Sequence, residues 1–286
     1  MAAGSLCISI DLELAWGTWD KPSADVHVRC AERERDIVGR LVAMFESHDV
    51  SATWAIVGRL LDRDAERSGE IWYAPDLVDK IRGARVEQDI GSHGYAHIYF
   101  GSASRDDLRA DLEAARDIHG RHGLPFTSFV FPRNQVAHLD LLRAVGIRVF
   151  RSVDLGWHIA VRRRLGAVAG RVANLADKML PVPPAVVEPI EHDGLVELPS
   201  SMLLLARNGL RRAVHPAAIV AKAELGLSRA CRGGTFHLWF HPSNFYYDTD
   251  RQLETLEKII RRAAHLRDRG QLSIRPMNTF ASTSIQ

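Results

Sequence analysis

Two histidines four residues apart, His93 and His97, stand in "DIGSHGYAHIYF", between the end of a strand-like run and an aromatic patch. Gly91 and Gly94 discourage a regular buried helix there. Imidazole is the commonest metal ligand, but a chain with 13 histidines will hold chance pairs at this spacing, so the pair alone decides nothing. Asp11 and Glu13 are one residue apart in "LCISIDLEL", so on an extended strand both side chains project to one face. The stretch reads as a buried central strand, where unpaired carboxylates are costly. Two carboxylates aimed at one mouth can divide their roles, one binding a metal and the other taking a proton.

Two imidazoles and a carboxylate around a divalent ion leave coordination positions for water and substrate, the arrangement of a catalytic rather than a structural site. Such an ion lowers the pKa of water and polarises a carbonyl. A second carboxylate can remove the proton from that water, and a histidine opposite can protonate the leaving group. These groups suffice to hydrolyse an amide or an ester.

The elements that must position them are legible as alternation. Strand-like runs recur at "SLCISIDL", "SATWAIVG", "VEQDIG", "TSFVFP", "RVFRSVD", "LVELPSS", "GTFHLWFH" and "QLSIRP", with helical patterns between most of them. In "SRDDLRADLEAARDIHGRHG", Ser104 can cap with Asp107 three residues on, and Leu108, Leu112, Ala115 and Ile118 make one face. "ERERDIVGRLVAMFESHD" and "DRQLETLEKIIRRAAHLRDRG" follow the same logic, with Gly270 placed to end the latter. Alternating strands and helices predict parallel strands with right-handed crossovers. Asp11 and Glu13 end the first strand, His93 and His97 follow the third, Pro132 and Arg133 the fourth, Asp154 the fifth, and His241 ends "GTFHLWFH". Functional residues of α/β barrels gather at the C-terminal ends of strands, so five polar clusters at five strand ends point to one site.

The composition bounds the function. With 37 basic and 35 acidic residues the net charge is +2, which gives no electrostatic case for a nucleic-acid partner. Cys7, Cys30 and Cys231 are scattered, with no CxxC, so neither a disulfide framework nor a zinc knuckle is expected. No GxGxxG follows the first strand, which argues against a dinucleotide site. The first apolar run is cut by Asp11 and Glu13, so a signal peptide or membrane span is not expected and a cytoplasmic location is. No linker-like tract divides residues 1–286, which are expected to form one catalytic domain.

The ordered set "SIDLELAWG", "SHGYAH", "FVFPRNQ", "FRSVD" and "LWFHP" resembles the polysaccharide deacetylase (NodB-homology) superfamily, carbohydrate esterase family 4, in a divergent branch. The resemblance implies a distorted (β/α) barrel. It also implies one divalent metal ion, zinc for this donor set, and removal of N-acetyl groups from amino sugars. Carried onto this chain, it makes His93 and His97 metal ligands, Asp11 the base and His241 the acid. Asp11-Leu12-Glu13 replaces the family's two adjacent aspartates, so Glu13 is taken as the third ligand, with the reversed assignment to Asp11 left open. Arg133 follows Pro132 where the family places an arginine before the proline; the residue steadying the base is therefore Arg133 or Arg151, with Asp154 as the acid pairing with it. Trp16, Tyr95, Trp157 and Trp239 lie near the motifs as candidate sugar contacts, and the backbone of Asn134 and Gln135 as candidate oxyanion donors.

The expected substrate is an N-acetylated sugar, free, nucleotide-linked or lipid-linked. Two rivals stand beside it: an amidohydrolase of the same scaffold acting on a non-sugar amide or cyclic ureide, and a carbohydrate-binding protein that has lost the reaction. In "IAVRRRLGAVAGRVANLADKML", Val161, Leu165, Val168, Val172, Leu175 and Met179 make one apolar stripe on a helix beside Arg164, Arg171 and Lys178. That helix either packs on the barrel or, with "SSMLLLARNGLRRAVHP", meets an anionic surface such as a phosphate-bearing substrate or anionic lipid at the inner membrane face.

Overall fold

The computed structural model describes residues 4–20, 24–63, 69–154, 157–179 and 182–281. The strands are β1 (Gly4–Leu12), β2 (Thr53–Ile56), β3 (Asp89–Ser92), β4 (Ser128–Val130), β5 (Val149–Ser152), β6 (Ile190–His192), β7 (Leu195–Pro199), β8 (Met202–Leu203), β9 (Thr235–Phe240) and β10 (Leu272–Ile274). The helices are α1 (Ala24–Ser47), α2 (Pro75–Arg82), α3 (Arg105–Arg121), α4 (Leu139–Ala144), α5 (Trp157–Met179), α6 (Pro216–Ala230) and α7 (Thr249–Asp268). Each strand-like run of the sequence is a strand. The α3 cap is as read: Ser104 Oγ accepts from the Asp107 amide at 3.2 Å. β6 (three residues, its first two exposed) and β8 (two residues) are strands outside those runs.

The sheet runs β6-β7-β5-β4-β3-β2-β1-β9-β8, with β6 antiparallel to β7 and β10 pairing with the lower half of β1. It curls until its ends meet. Only Ser200 and Ser201 separate β7 from β8; the Ser200 amide donates to Ser152 O beside β7, and the Ser201 amide donates to His237 O on β9. The result is the distorted (β/α) barrel that the motifs implied.

Strand alternation sorts the residues in the reverse of an open sheet with one wet face. Leu6, Ile8, Ile10 and Leu12 of β1 face outward into the large core beneath the helices, with Trp54, Ile56, Phe236, Leu238 and Phe240. Cys7 belongs to a separate inner cluster with Ala55, Val130, Val149, Val196 and Leu198, so Ser9 and Asp11, in step with it, look into the barrel. Met277 and Phe280, after β10, complete that inner cluster from the end opposite the site, where the Met277 amide donates to Thr53 Oγ1 at 2.7 Å. Among the described residues no helix is long and apolar enough to cross a membrane.

Candidate active site

β1 stops at Leu12, so Glu13 does not follow the pleat as its one-residue spacing from Asp11 suggested. It takes a helical conformation (φ −115°, ψ −31°) ahead of a 3-10 turn, Leu14–Thr18, and that turn carries its carboxylate back over the mouth. A Cβ on Gly17 would lie 1.7 Å from Glu13 Oε2, so the turn closes on the carboxylate only because position 17 has no side chain.

His93 leaves β3 with its amide still donating to Ile56 O. The next turn reverses through Gly94 (φ 77°) and brings His97 round at φ 56°, so the two imidazoles meet by way of a loop rather than a helix face. Asp111, inside α3, fixes that loop by accepting from the amides of Tyr95 (2.9 Å) and Ala96 (2.7 Å). Nothing in the regular pattern of α3 distinguished this aspartate from its solvent-facing acids; its burial does.

Glu13 Oε1 lies 2.9 Å from His93 Nε2 and 3.2 Å from His97 Nε2. His93 Nδ1 donates to Val130 O at 2.7 Å, which fixes the ring with Nε2 turned to the carboxylate. Neither ring nitrogen of buried His97 has a hydrogen-bond partner. Lone pairs of two buried imidazoles and a carboxylate converging on one point fit a divalent cation, and the ligand atoms of these three residues lie within 4.8 Å of one another. Burial pushes the Glu13 carboxyl up, but His241, His97 and His93 pull it down further, to well below the usual carboxylate range.

Asp11 is held differently. Arg151, fully buried on β5, grips it with both terminal nitrogens, Nη1 to Oδ1 at 2.6 Å and Nη2 to Oδ2 at 2.7 Å. Arg151 also donates to Ser9 Oγ (3.0 Å) and Asn134 Oδ1 (3.1 Å), and its guanidinium lies 4.3 Å over the Trp239 ring. Burial raises the Asp11 carboxyl, while Arg151 and then His241 outweigh it, so the group stays ionised with its pKa lowered. His241, at the end of β9, places Nε2 3.6 Å from Asp11 Oδ2 and 3.4 Å from Glu13 Oε1. Burial lowers its imidazole, but the two carboxylates prevail and push it up to about 9.

A model of the polysaccharide deacetylase family matches residues 18–149, the stretch with His93 and His97. A Mycobacterium smegmatis protein described as a polysaccharide deacetylase shares the fold at a TM-score of 0.66, with 17% identity over 99% of this chain and 93% of that one. Over residues 18–149 the chain is similar to the polysaccharide deacetylase family, and over its whole described length it shares that protein's fold. A Puue allantoinase aligns at TM-score 0.62 and 11% identity over 97% of this chain and 89% of its own. A Pseudomonas aeruginosa PAO1 protein described as a polysaccharide deacetylase aligns at 0.60 and 12% over the same shares, 97% and 89%. No curated protein matches. The matched stretch omits Asp11, Glu13, Arg151 and His241, which the barrel brings to the deacetylase-type histidine loop from outside it.

Other residues singled out in the sequence lie elsewhere in the barrel. Arg133 does not steady Asp11: at φ 56° in the turn after β4, it reaches Gly17 O (3.2 Å) and Tyr99 Oη (3.1 Å). Asp154 stands half-buried two residues beyond β5, while the terminal nitrogens of Arg151 go to Asp11, Ser9 and Asn134. Trp16 is core rather than a sugar platform: it is 3% exposed, its Nε1 donates to Trp72 O, and Arg59 covers its ring. Trp239 is buried under Arg151, and the Tyr95 hydroxyl donates to Asp62 at 2.6 Å. The side chain of Trp157 lies outside the described residues. The amides of Asn134 and Gln135 donate within their own turn, to Phe131 O and Pro132 O, so they are not oxyanion donors. His215 caps α6 by accepting from the Ala217 amide. Glu34 was not anticipated: buried on α1, its carboxyl is pushed up to about 8 by burial and then by the charge of Glu13.

Proposed function

We propose that the protein is a metal-dependent hydrolase that removes an N-acetyl or similar acyl group from an amino sugar, free, nucleotide-linked or lipid-linked. One observation carries the reading: Glu13 Oε1 stands within 2.9 and 3.2 Å of two imidazole Nε2 atoms, while the neighbouring carboxylate of Asp11 is committed to Arg151. Glu13, His93 and His97 would hold the ion, with zinc the expected metal for two imidazoles and one oxygen. A bound divalent ion supplies Lewis acidity at the acyl carbonyl and makes water more acidic. Asp11, ionised and oriented by Arg151, takes the proton of the attacking water. His241, with 27% of its side chain open at the mouth, delivers a proton to the departing amine. Asn134 and the Trp239 ring hold the Arg151 guanidinium, and through it the base, in one position.

The likeness to an allantoinase supports a second reading, the same groups acting on a non-sugar amide or cyclic ureide. A binding protein that has lost the reaction is disfavoured, because base, acid and three ligand candidates all converge. The deciding experiment measures hydrolysis of a panel of N-acetylated sugars and cyclic ureides, after chelation and after zinc is restored. Acetate release from a sugar supports the first reading, ureide opening the second, and no hydrolysis of any member refutes both. Asp11→Asn should keep the metal and lose about 100- to 10,000-fold in turnover. Glu13→Gln should lose the metal; the opposite pattern would exchange their roles.

A further inference from the structure

Seven large hydrophobic side chains are exposed among the described residues, and five of them lie on segments leaving the C-terminal ends of the barrel strands. Trp19 follows β1, Val136 follows β4, Val153 follows β5, and Leu165 and Val168 sit on α5. The turns after β1 and β4 touch, since Arg133 donates to Gly17 O at 3.2 Å, so Trp19 and Val136 belong to one rim around the mouth.

α5 is where the pattern is strongest. Its second half is anchored: Gly170 and Ala173 are buried, and Lys222 Nζ lies 2.6 Å from both the carbonyl and the carboxylate of Asp177. Gly166, at φ 86° and ψ 179°, breaks the helix ahead of that half. Residues 163–168 are all exposed, with Leu165 at 72% and Val168 at 67%, so the apolar stripe read from the sequence is not packed on the barrel there. Arg163 and Arg164 stand beside these side chains and form no ion pair with a described residue. Exposed aliphatic groups interleaved with unpaired arginines match a surface whose partner is apolar and anionic together, which is the chemistry of an anionic lipid interface.

We propose that this rim docks the protein on an anionic bilayer, with the mouth of the barrel opening onto the headgroups. The inference depends on the proposed hydrolysis only in treating that mouth as catalytic. The test is sedimentation of the full chain with phosphatidylglycerol/phosphatidylcholine vesicles and with phosphatidylcholine vesicles alone, at low and high salt. Wild type should sediment with the anionic vesicles and be released by salt. Arg163→Ala/Arg164→Ala should weaken partitioning by about 30-fold, from the contribution of each basic side chain near an anionic surface. Leu165→Asp/Val168→Asp should weaken it too, with circular dichroism unchanged because the sites are exposed. Recovery in the supernatant under all conditions overturns the proposal, as does equal binding to neutral vesicles or equal binding by the variants. Self-association of wild type abolished by Leu165→Asp/Val168→Asp also overturns it, because a second copy then covers the rim. No substrate enters this assay, so failure of the hydrolase reading leaves its outcome readable.

Discussion

Replacing Arg151 by Met removes a buried charge of similar length and leaves the Asp11 carboxylate, 3% exposed, without its main partner. Breaking one side of a buried pair costs about 3–5 kcal/mol. The carboxylate has an escape: it can take a proton, and for a reference pKa of ~3.9 that costs ~4 kcal/mol at pH 7 and only ~1.5 kcal/mol at pH 5. The penalty is thus capped near 4 kcal/mol at neutral pH and should shrink by about 2–3 kcal/mol at pH 5. Urea unfolding of chelator-treated wild type, Arg151→Met, Asp11→Asn and the double variant, at both pH values, measures this. The double variant should recover a large part of the loss, giving a coupling energy at the upper end of ~0.5–3 kcal/mol for contacting residues. Arg151→Lys should rescue little, since one ammonium cannot make the two-pronged contact. A loss under about 1 kcal/mol at pH 7, or strict additivity, would show that the pair does not hold the site together.

Zinc added to chelated protein at 100 times its dissociation constant should stabilise by ~2.7 kcal/mol, seen as a higher Tm in scanning fluorimetry, and His93→Ala/His97→Ala should show no shift. Asp111→Ala strips two loop amides of their acceptor; calorimetric titration should find metal affinity weakened about 10- to 100-fold, as for other groups that orient ligands. His119 is fully buried with Nδ1 2.7 Å from Pro125 O, and burial lowers its imidazole to about 4. The unfolded chain binds that proton from about pH 6.5 downward, so stability should fall as pH drops from there toward 4, by ~1.4 kcal/mol per unit. Denaturation of His119→Gln across that range should show the slope reduced by that amount, with buried His237 still contributing its own, and an unchanged slope would refute the assignment.

The order of strands and helices was legible because each is set by residues close in sequence: the period of β1, the cap at Ser104, the stop at Gly270. The address of the candidate site was legible too, since a strand's C-terminal end is a local property once strands and helices alternate. Conformations decided by backbone handedness were less so. The left-handed turns at His97 and Arg133 send one residue into the site and the other to Gly17, and spacing alone cannot distinguish them.

What only the tertiary structure decided is which distant groups meet. Asp11 and Arg151 are 140 positions apart, and barrel curvature rather than any local pattern sets one against the other. Closure through Ser200 and Ser201 puts Trp239 under that arginine, and the packing of the turn after β1 draws Trp16 into the core, so two aromatics that read as sugar platforms are structural. Asp111 and Glu34 resemble helix-surface acids in sequence, and burial alone separates them from their neighbours. The sequence by itself determined the elements and the residue types at their ends, because propensity and periodicity act over a few residues. Pairing between those ends depends on sheet curvature and loop direction, which are properties of the whole chain.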